Sequence, residues 1–235
     1  MILRRFMKHV TDQNWLAVGL DVVVVVVGVY IGIFIGDQAT EQARVQAAHT
    51  SLSFLEIDLN DDIRQVKDII DKQTISVESY SRLIDELKSN PVNIEQVVEI
   101  EQAIADAENP TFTPAMGIYP MMLEQGHLTA LFDPKVARAI TSIYGNRYIR
   151  SAFYGELVDR NADEVFRNIR HRYFDKTTNT LLTTNDTELA IYRSGLYSQQ
   201  IYSRDYVAFL NAFLLPSMLE TAGIIKEYSK KHIVK

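Results

Sequence analysis

The chain has 235 residues, no cysteine, and 24 Lys and Arg against 30 Asp and Glu, for a formal net charge of −6. The acidic balance argues against nucleic acid as a partner. The absence of cysteine means that an oxidising compartment cannot trap the chain in wrong disulfides.

The first element in chain order is an apolar run from Leu16 to Ile35, broken by a single charge at Asp21. Twenty residues of helix rise about 30 Å, the thickness of a bilayer's hydrocarbon core. Without Asp21 the run would start at Val22 and rise only about 21 Å, too short to span comfortably. A cleaved signal peptide needs a shorter apolar region and small residues before the cut, and Phe34, Gly36 and Asp37 make a poor cleavage site. Val22 to Val27 is six consecutive valines, which in water favour a strand and invite aggregation. In lipid the backbone must bond within the helix, so an uncleaved single-span anchor is expected.

Arg4, Arg5 and Lys8 precede the run, and the first base after it is Arg44. The positive-inside rule then keeps residues 1–14 in the cytoplasm as a short basic segment. It makes 15–36 the transmembrane helix and sends 37–235 outward, into the periplasm if the membrane is a bacterial inner membrane. Trp15, Tyr30 and Phe34 suit the interfacial belts.

Gly28, Gly32 and Gly36 recur every fourth residue and form a smooth stripe where another helix can approach closely. Val25 and Asp21 lie three and seven residues before Gly28, on the same face. A charge at membrane depth costs about 2.5–3.5 kcal/mol on insertion scales and usually faces a partner or a cavity. Asp21, Gly28, Gly32 and Gly36 are therefore the expected packing residues, toward a second copy or another membrane protein. The rival reading has Asp21 snorkelling to the cytoplasmic interface.

Residues 37–235 carry a net charge of −7 and are ample for one core. Apolar positions recur from Leu52 through Leu55, Leu59, Ile63, Val66, Ile70, Val77, Tyr80, Ile84 and Leu87, with Gln73 filling a missing step. Steps of three and four predict one long helix continuous with the span. Its stripe packs either on the protein's own later helices or on another copy. The helix should stop near Asn90-Pro91. A second helix is expected from Ile94 to Glu108, capped by Asn93. Thr113-Pro114 reads as a helix start, with Pro120 making that helix short or bent and Gly126 ending it. Asp133-Pro134 starts a long helix to about Tyr173, loosened at Gly145 and Gly155. Lys176 to Asp186 reads as a loop, and a last helix from Thr187 to Lys231 should bend at Pro216. The fold class is all-α: one N-terminal transmembrane helix continuing into an antiparallel helical bundle.

Chemistry is sparse. His9, His49, His127, His171 and His232 fall on separate segments, and no metal-ligand spacing, phosphate loop, dinucleotide fingerprint or nucleophile elbow occurs. The expectation is a protein that is not an enzyme, with no catalytic residue, cofactor or metal. His127 reads as a surface turn residue. Eight tyrosines lie between Tyr144 and Tyr206 among several arginines. Arg167, Arg170 and Tyr173 are candidates for ligand or partner contacts, since Tyr and Arg are favoured at interfaces and could cradle an anion. The alternative is a solvated helix whose arginines pair with Glu156, Asp159, Asp163 and Glu164.

The opening, Asn14-Trp15-Leu16-Ala17-Val18-Gly19-Leu20-Asp21 followed by the Val-rich run and Gly28-Val29-Tyr30-Ile31-Gly32, resembles a family of small bacterial membrane proteins known only as a domain of unknown function. A second likeness runs through Thr113-Pro114, Tyr119, Leu123, Gly126-His127-Leu128, Leu131, Asp133-Pro134 and Val136. Pro120 and the acidic stretch Asp37 to Glu41 depart from the family pattern. The resemblance covers the span and residues 110–145 well and the C-terminal third loosely. It implies an anchor with a helical domain and no activity. Two functions are then expected: a non-enzymatic assembly or partner-binding module, or a sensor of a small anion acting through a partner protein.

Overall fold

A computed structural model describes residues 15–107, 110–130, 133–175, 177–178 and 180–232. The expected cytoplasmic segment 1–14 and the side chains of 15–19 and Asp21 lie outside the described residues, so the register proposed for Asp21 is not described. The protein is all-α apart from one two-residue hairpin, and it divides into two compact units at Ala47 and Ala48.

Helix α1 runs unbroken from Trp15 to Glu86. In the first unit its apolar residues from Val22 to Ile35 stand open, between 48% and 71% exposed. Arg44 pairs with Glu41 one turn away at 2.9 Å.

The second unit is a four-segment antiparallel bundle. Its first segment is α1 from Ala48 onward. The second holds α2 (Ile94–Asp106), α3 (Ile118–Glu124) and α4 (His127–Ala130). The third holds α5 (Pro134–Ser142) and α6 (Tyr148–Asp163), and the fourth α7 (Asp186–Phe209) and α8 (Leu215–His232). Three contacts set the direction of α1 against α7 and α8. His49 stacks on Tyr228 at 5.7 Å, Gln200 donates to the Val77 carbonyl at 3.5 Å, and Arg193 donates to the Leu87 carbonyl at 2.9 Å.

The seam of α1 reads Ala48, Leu52, Leu55, Leu59, Asp62, Val66, Ile69, Gln73, Ser76, Tyr80, Leu83 and Leu87, all buried, in alternating steps of four and three. The expected stripe lies on this face, with Ile63, Ile70 and Ile84 flanking the seam and Val77 half-buried. It packs within the chain's own bundle. Apolar side chains of this size contribute roughly 1.5–3 kcal/mol each when fully buried. The polar seam positions Asp62 and Gln73 have a specific cause in the second segment.

That segment is where the sequence reading fails most. The chain from Pro110 to Met116 has no regular secondary structure, and α3 begins at Ile118 rather than at Pro114. Its backbone groups are taken by side chains of other segments. Gln73 Nε2 donates to the Pro110 carbonyl at 2.8 Å, the Phe112 N–H donates to the Tyr206 hydroxyl at 2.8 Å, and the Ala115 N–H donates to Asp62 Oδ1 at 3.3 Å. A buried backbone without such partners costs free energy, and here the bundle supplies them. Pro120 falls in the first turn of α3, where its missing N–H leaves no helical bond unmade. Gly126 takes φ +67 to end the turn.

The expected caps at Asn93 and Asp133 form. Asn93 accepts from the Gln96 N–H at 3.3 Å and Asp133 from the Lys135 N–H at 2.8 Å. Gly145 sits in a wide π-helical turn, Ile143–Arg147. Gly155, expected as a second loose point, lies inside regular α6, where a Cβ would meet Thr111 Cβ at 3.3 Å. The loosening falls instead at a second wide turn, Glu164–Ile169, followed by a tight turn, Arg170–Arg172. A hairpin of β1 (Phe174–Asp175) and β2 (Thr180–Leu181) starts just before the expected loop and places only β2 within it, turned by Asp175 accepting from the Thr177 N–H at 2.8 Å. Ahead of Pro216, the turn Leu210–Leu214 is also wide. A proline ring clashes with the carbonyl four residues back, here Ala212, so the strain is absorbed before the proline.

Candidate functional site

Gly28, Gly32 and Gly36 share one face of α1, and a Cβ added at any of them meets nothing within 4 Å. That face is open along the most apolar part of the chain. Among the described residues two helical stretches are long and apolar enough to cross a membrane, Val22–Glu86 and Asp186–His232. The most apolar window of the first is wholly unburied, whereas a third of the second's is buried. In the second, Leu189, Tyr192, Leu196, Tyr206, Leu210, Leu214, Met218 and Ile225 belong to the bundle cores.

Arg167, Arg170 and Tyr173 come together at the top of the bundle but do different things. Arg167 is exposed and pairs with Asp163 Oδ1 at 2.9 Å, one turn back. Arg170 is only 7% exposed. Its guanidinium pairs with Glu101, which is 3% exposed and also accepts the Tyr192 hydroxyl. It also lies over the Phe174 ring, 5.0 Å from the centroid. Tyr173 stacks on Tyr192 at 6.0 Å. The wide turn at Glu164–Ile169 explains the divergence, because it rotates Arg170 inward while Arg167 stays on the rim. Burial, and the Glu101 carboxylate beside it, push the Tyr192 phenol well above its usual range, so it remains a neutral donor.

Beside this pair lies an open cleft of about 380 Å³ between α2 and α6. Tyr80, Ile104 and Phe166 give it apolar walls, and Asp159, Asp163 and Arg167 line it with charge. Its two arginines already face carboxylates, and Asp159 adds a further one. The Asp159 carboxyl is itself held above its usual range by burial.

Glu101 was missed in the sequence, although its signal was there. Val97, Ile100, Glu101 and Ile104 occupy the buried face of α2, so an acid falls on an apolar stripe. Asp62 carries the same signal on α1. Its Oδ2 accepts the Tyr148 hydroxyl at 2.6 Å, and Tyr148 packs edge-on against Tyr144, which stacks on Tyr119. Burial holds the Asp62 carboxyl above its ordinary value, against the opposing effect of the Tyr148 hydrogen bond. His127 is also a correction. It is buried, with Nδ1 3.0 Å from Ser51 Oγ, because the turn at Gly126 folds it inward onto α1.

Among the described residues no group of three or more His, Asp or Glu side chains is placed to hold a metal ion. Asp62, Gln73, Glu101 and Tyr206 bond to other side chains or to backbone, whereas buried Ser76, Tyr80, Tyr144 and Ser151 have hydroxyls without a hydrogen-bond partner.

No match to the chain was found among curated proteins or among solved structures. A family model described as a family of unknown function, DUF6090, matches residues 21–194, from Asp21 at the head of the valine run to Ser194 in α7. The chain belongs to this family, DUF6090, whose function is unknown.

Proposed function

We propose that this protein is a single-pass, non-enzymatic membrane protein of the bacterial inner membrane. Its N-terminus lies in the cytoplasm and its helical bundle in the periplasm. It assembles with a second copy or another membrane protein through the face of Gly28, Gly32 and Gly36, with Asp21 fixing the register. One observation carries this reading: the three glycines and the apolar residues around them are unpartnered, while the bundle closes its own core from Ala48 onward. Small residues every fourth position let two helix backbones approach closely in lipid, where packing rather than hydrophobicity drives association.

The rival reading is a sensor of a small anion at Arg167 and Arg170. Electrostatics weigh against it, since both arginines are already paired and Asp159 repels an entering anion. A two-hybrid or crosslinking assay of the spans tests the preferred reading. Gly32→Ile should abolish association, Val26→Leu on the opposite face should leave it intact, and unchanged association in Gly32→Ile overturns the proposal.

A further inference from the structure

A second groove, of about 410 Å³, lies between α5 and α8 at the other end of the bundle. Lys135, Arg138 and Arg147 line it on one side. Glu220 is the carboxylate among the lining residues, so they carry a net charge of +2 in a domain whose own net charge is −7. Among the described residues none of the three bases is in an ion pair. Arg44, Arg64, Arg160, Arg167, Arg170, Arg193 and Arg204 each have a carboxylate partner. Among the described residues Arg82, Arg150 and Arg172 also lack one, but of these unpaired bases only Lys135, Arg138 and Arg147 converge on one groove.

The local backbone accounts for the convergence. Lys135 and Arg138 are three apart on α5 and share its outer face. In a regular helix Asn146, not Arg147, would continue that face past Ala139 and Ser142. The wide turn Ile143–Arg147 adds one residue to the turn, and Arg147 takes the place. Arg147 is half-buried there, beside the Ser142 and Ser217 side chains that also line the groove. Lys135 and Arg138 are exposed. Glu220 in the lining and Glu227 near Lys135 are the carboxylates at hand, and an anion in the groove relieves the repulsion among the three cations.

We propose that this groove binds a phosphate-bearing anion, held by Arg138, Arg147 and Lys135 with the Ser142 hydroxyl as an additional donor, the Ser217 hydroxyl being already given to the Phe213 carbonyl at 2.7 Å. Guanidinium forks match phosphate oxygens in pairs, which is why two arginines favour this ligand over chloride. The phosphate comes either from a soluble compound or from a lipid headgroup.

The test uses the full chain purified in detergent, and thermal unfolding with inorganic phosphate against chloride at matched ionic strength. A phosphate concentration a hundredfold above its Kd should raise Tm by roughly 5–10 °C, and Arg138→Gln/Arg147→Gln should abolish the shift. That variant loses no ion pair, so its Tm without phosphate should be no lower than that of the wild type. A second arm compares nanodiscs of phosphatidylglycerol and of phosphatidylcholine. A Tm rise in phosphatidylglycerol alone that needs both arginines assigns the phosphate to a headgroup. No shift in either arm, or a shift that survives the double substitution, overturns the proposal.

Discussion

The Tyr148 hydroxyl donates to Asp62 Oδ2 at 2.6 Å while the Ala115 N–H donates to Asp62 Oδ1, so one carboxyl joins three of the four bundle segments. Asp62→Ala strands the buried Tyr148 hydroxyl, at a cost of about 1–3 kcal/mol, and releases the more exposed Ala115 N–H. Asp62→Asn keeps an acceptor and should be far milder. The two also differ with pH. A carboxyl whose value is raised in the fold favours the folded state when protonated. Its contribution is full below the ordinary carboxylate value of about 3.9 and is lost as pH rises through the raised value. The Tm of the wild type relative to Asp62→Asn should therefore be highest in acid and fall toward neutrality. Thermal scans from about pH 4 to 7 check this, and a constant gap would show that Asp62 does not titrate in the fold.

Glu101, Arg170 and Tyr192 form the second polar island. Removing one member leaves an uncompensated charge, so Glu101→Leu or Arg170→Met alone should cost about 3–5 kcal/mol. The double substitution should cost less than the sum, because it removes both charges from an apolar setting. Denaturant titrations of the four proteins give the coupling directly, and strict additivity would refute the pairing.

How far these islands could be read in advance depends on the residue. Long 3–4 periodicity and the caps at Asn93 and Asp133 were legible because they are local. Asp62, Gln73 and Ser76 fall on the seam of α1, yet they read as interruptions of a stripe rather than as its design. Asp62 and Gln73 bond to the irregular segment Pro110 to Met116, which the local signal Thr113-Pro114 marks as a helix start; Ser76 has no hydrogen-bond partner there. Tertiary partners hold the segment in its irregular path: Gln73, Tyr206 and Asp62 bond to the Pro110 carbonyl, the Phe112 N–H and the Ala115 N–H. Arg170 was found as a candidate, but its burial was not foreseen, since the wide turn that rotates it has no motif. The groove at Arg147 escaped for the same reason.

Tyr206→Phe removes the acceptor for the Phe112 N–H. The fold should lose about 1–2 kcal/mol, and the Phe112 amide should lose its protection in hydrogen exchange. Protection in the wild type, outside any helix, is itself an expected result. An amide that exchanges freely in both proteins contradicts the irregular segment as described.

Gly195 faces the second wide turn, where a Cβ would stand 3.1 Å from Ile169 Cδ1 and 3.4 Å from Val165 Cγ2. Gly195→Ala gains helix propensity of about 1 kcal/mol and should come out near neutral as Ile169 gives way. Gly195→Val overfills the same gap and should cost about 1–3 kcal/mol. Chemical denaturation of both variants distinguishes close packing here from an unimportant glycine.

The central claim is that the glycine face of α1 meets another helix in the membrane. The chain's lack of native cysteine makes single-cysteine scanning of residues 22–36 clean. Crosslinked products in the membrane, to a second copy or to another protein, should peak at Val25→Cys, Gly28→Cys, Gly32→Cys and Gly36→Cys and vanish between them. A flat profile, or a peak on the opposite face, would contradict the account.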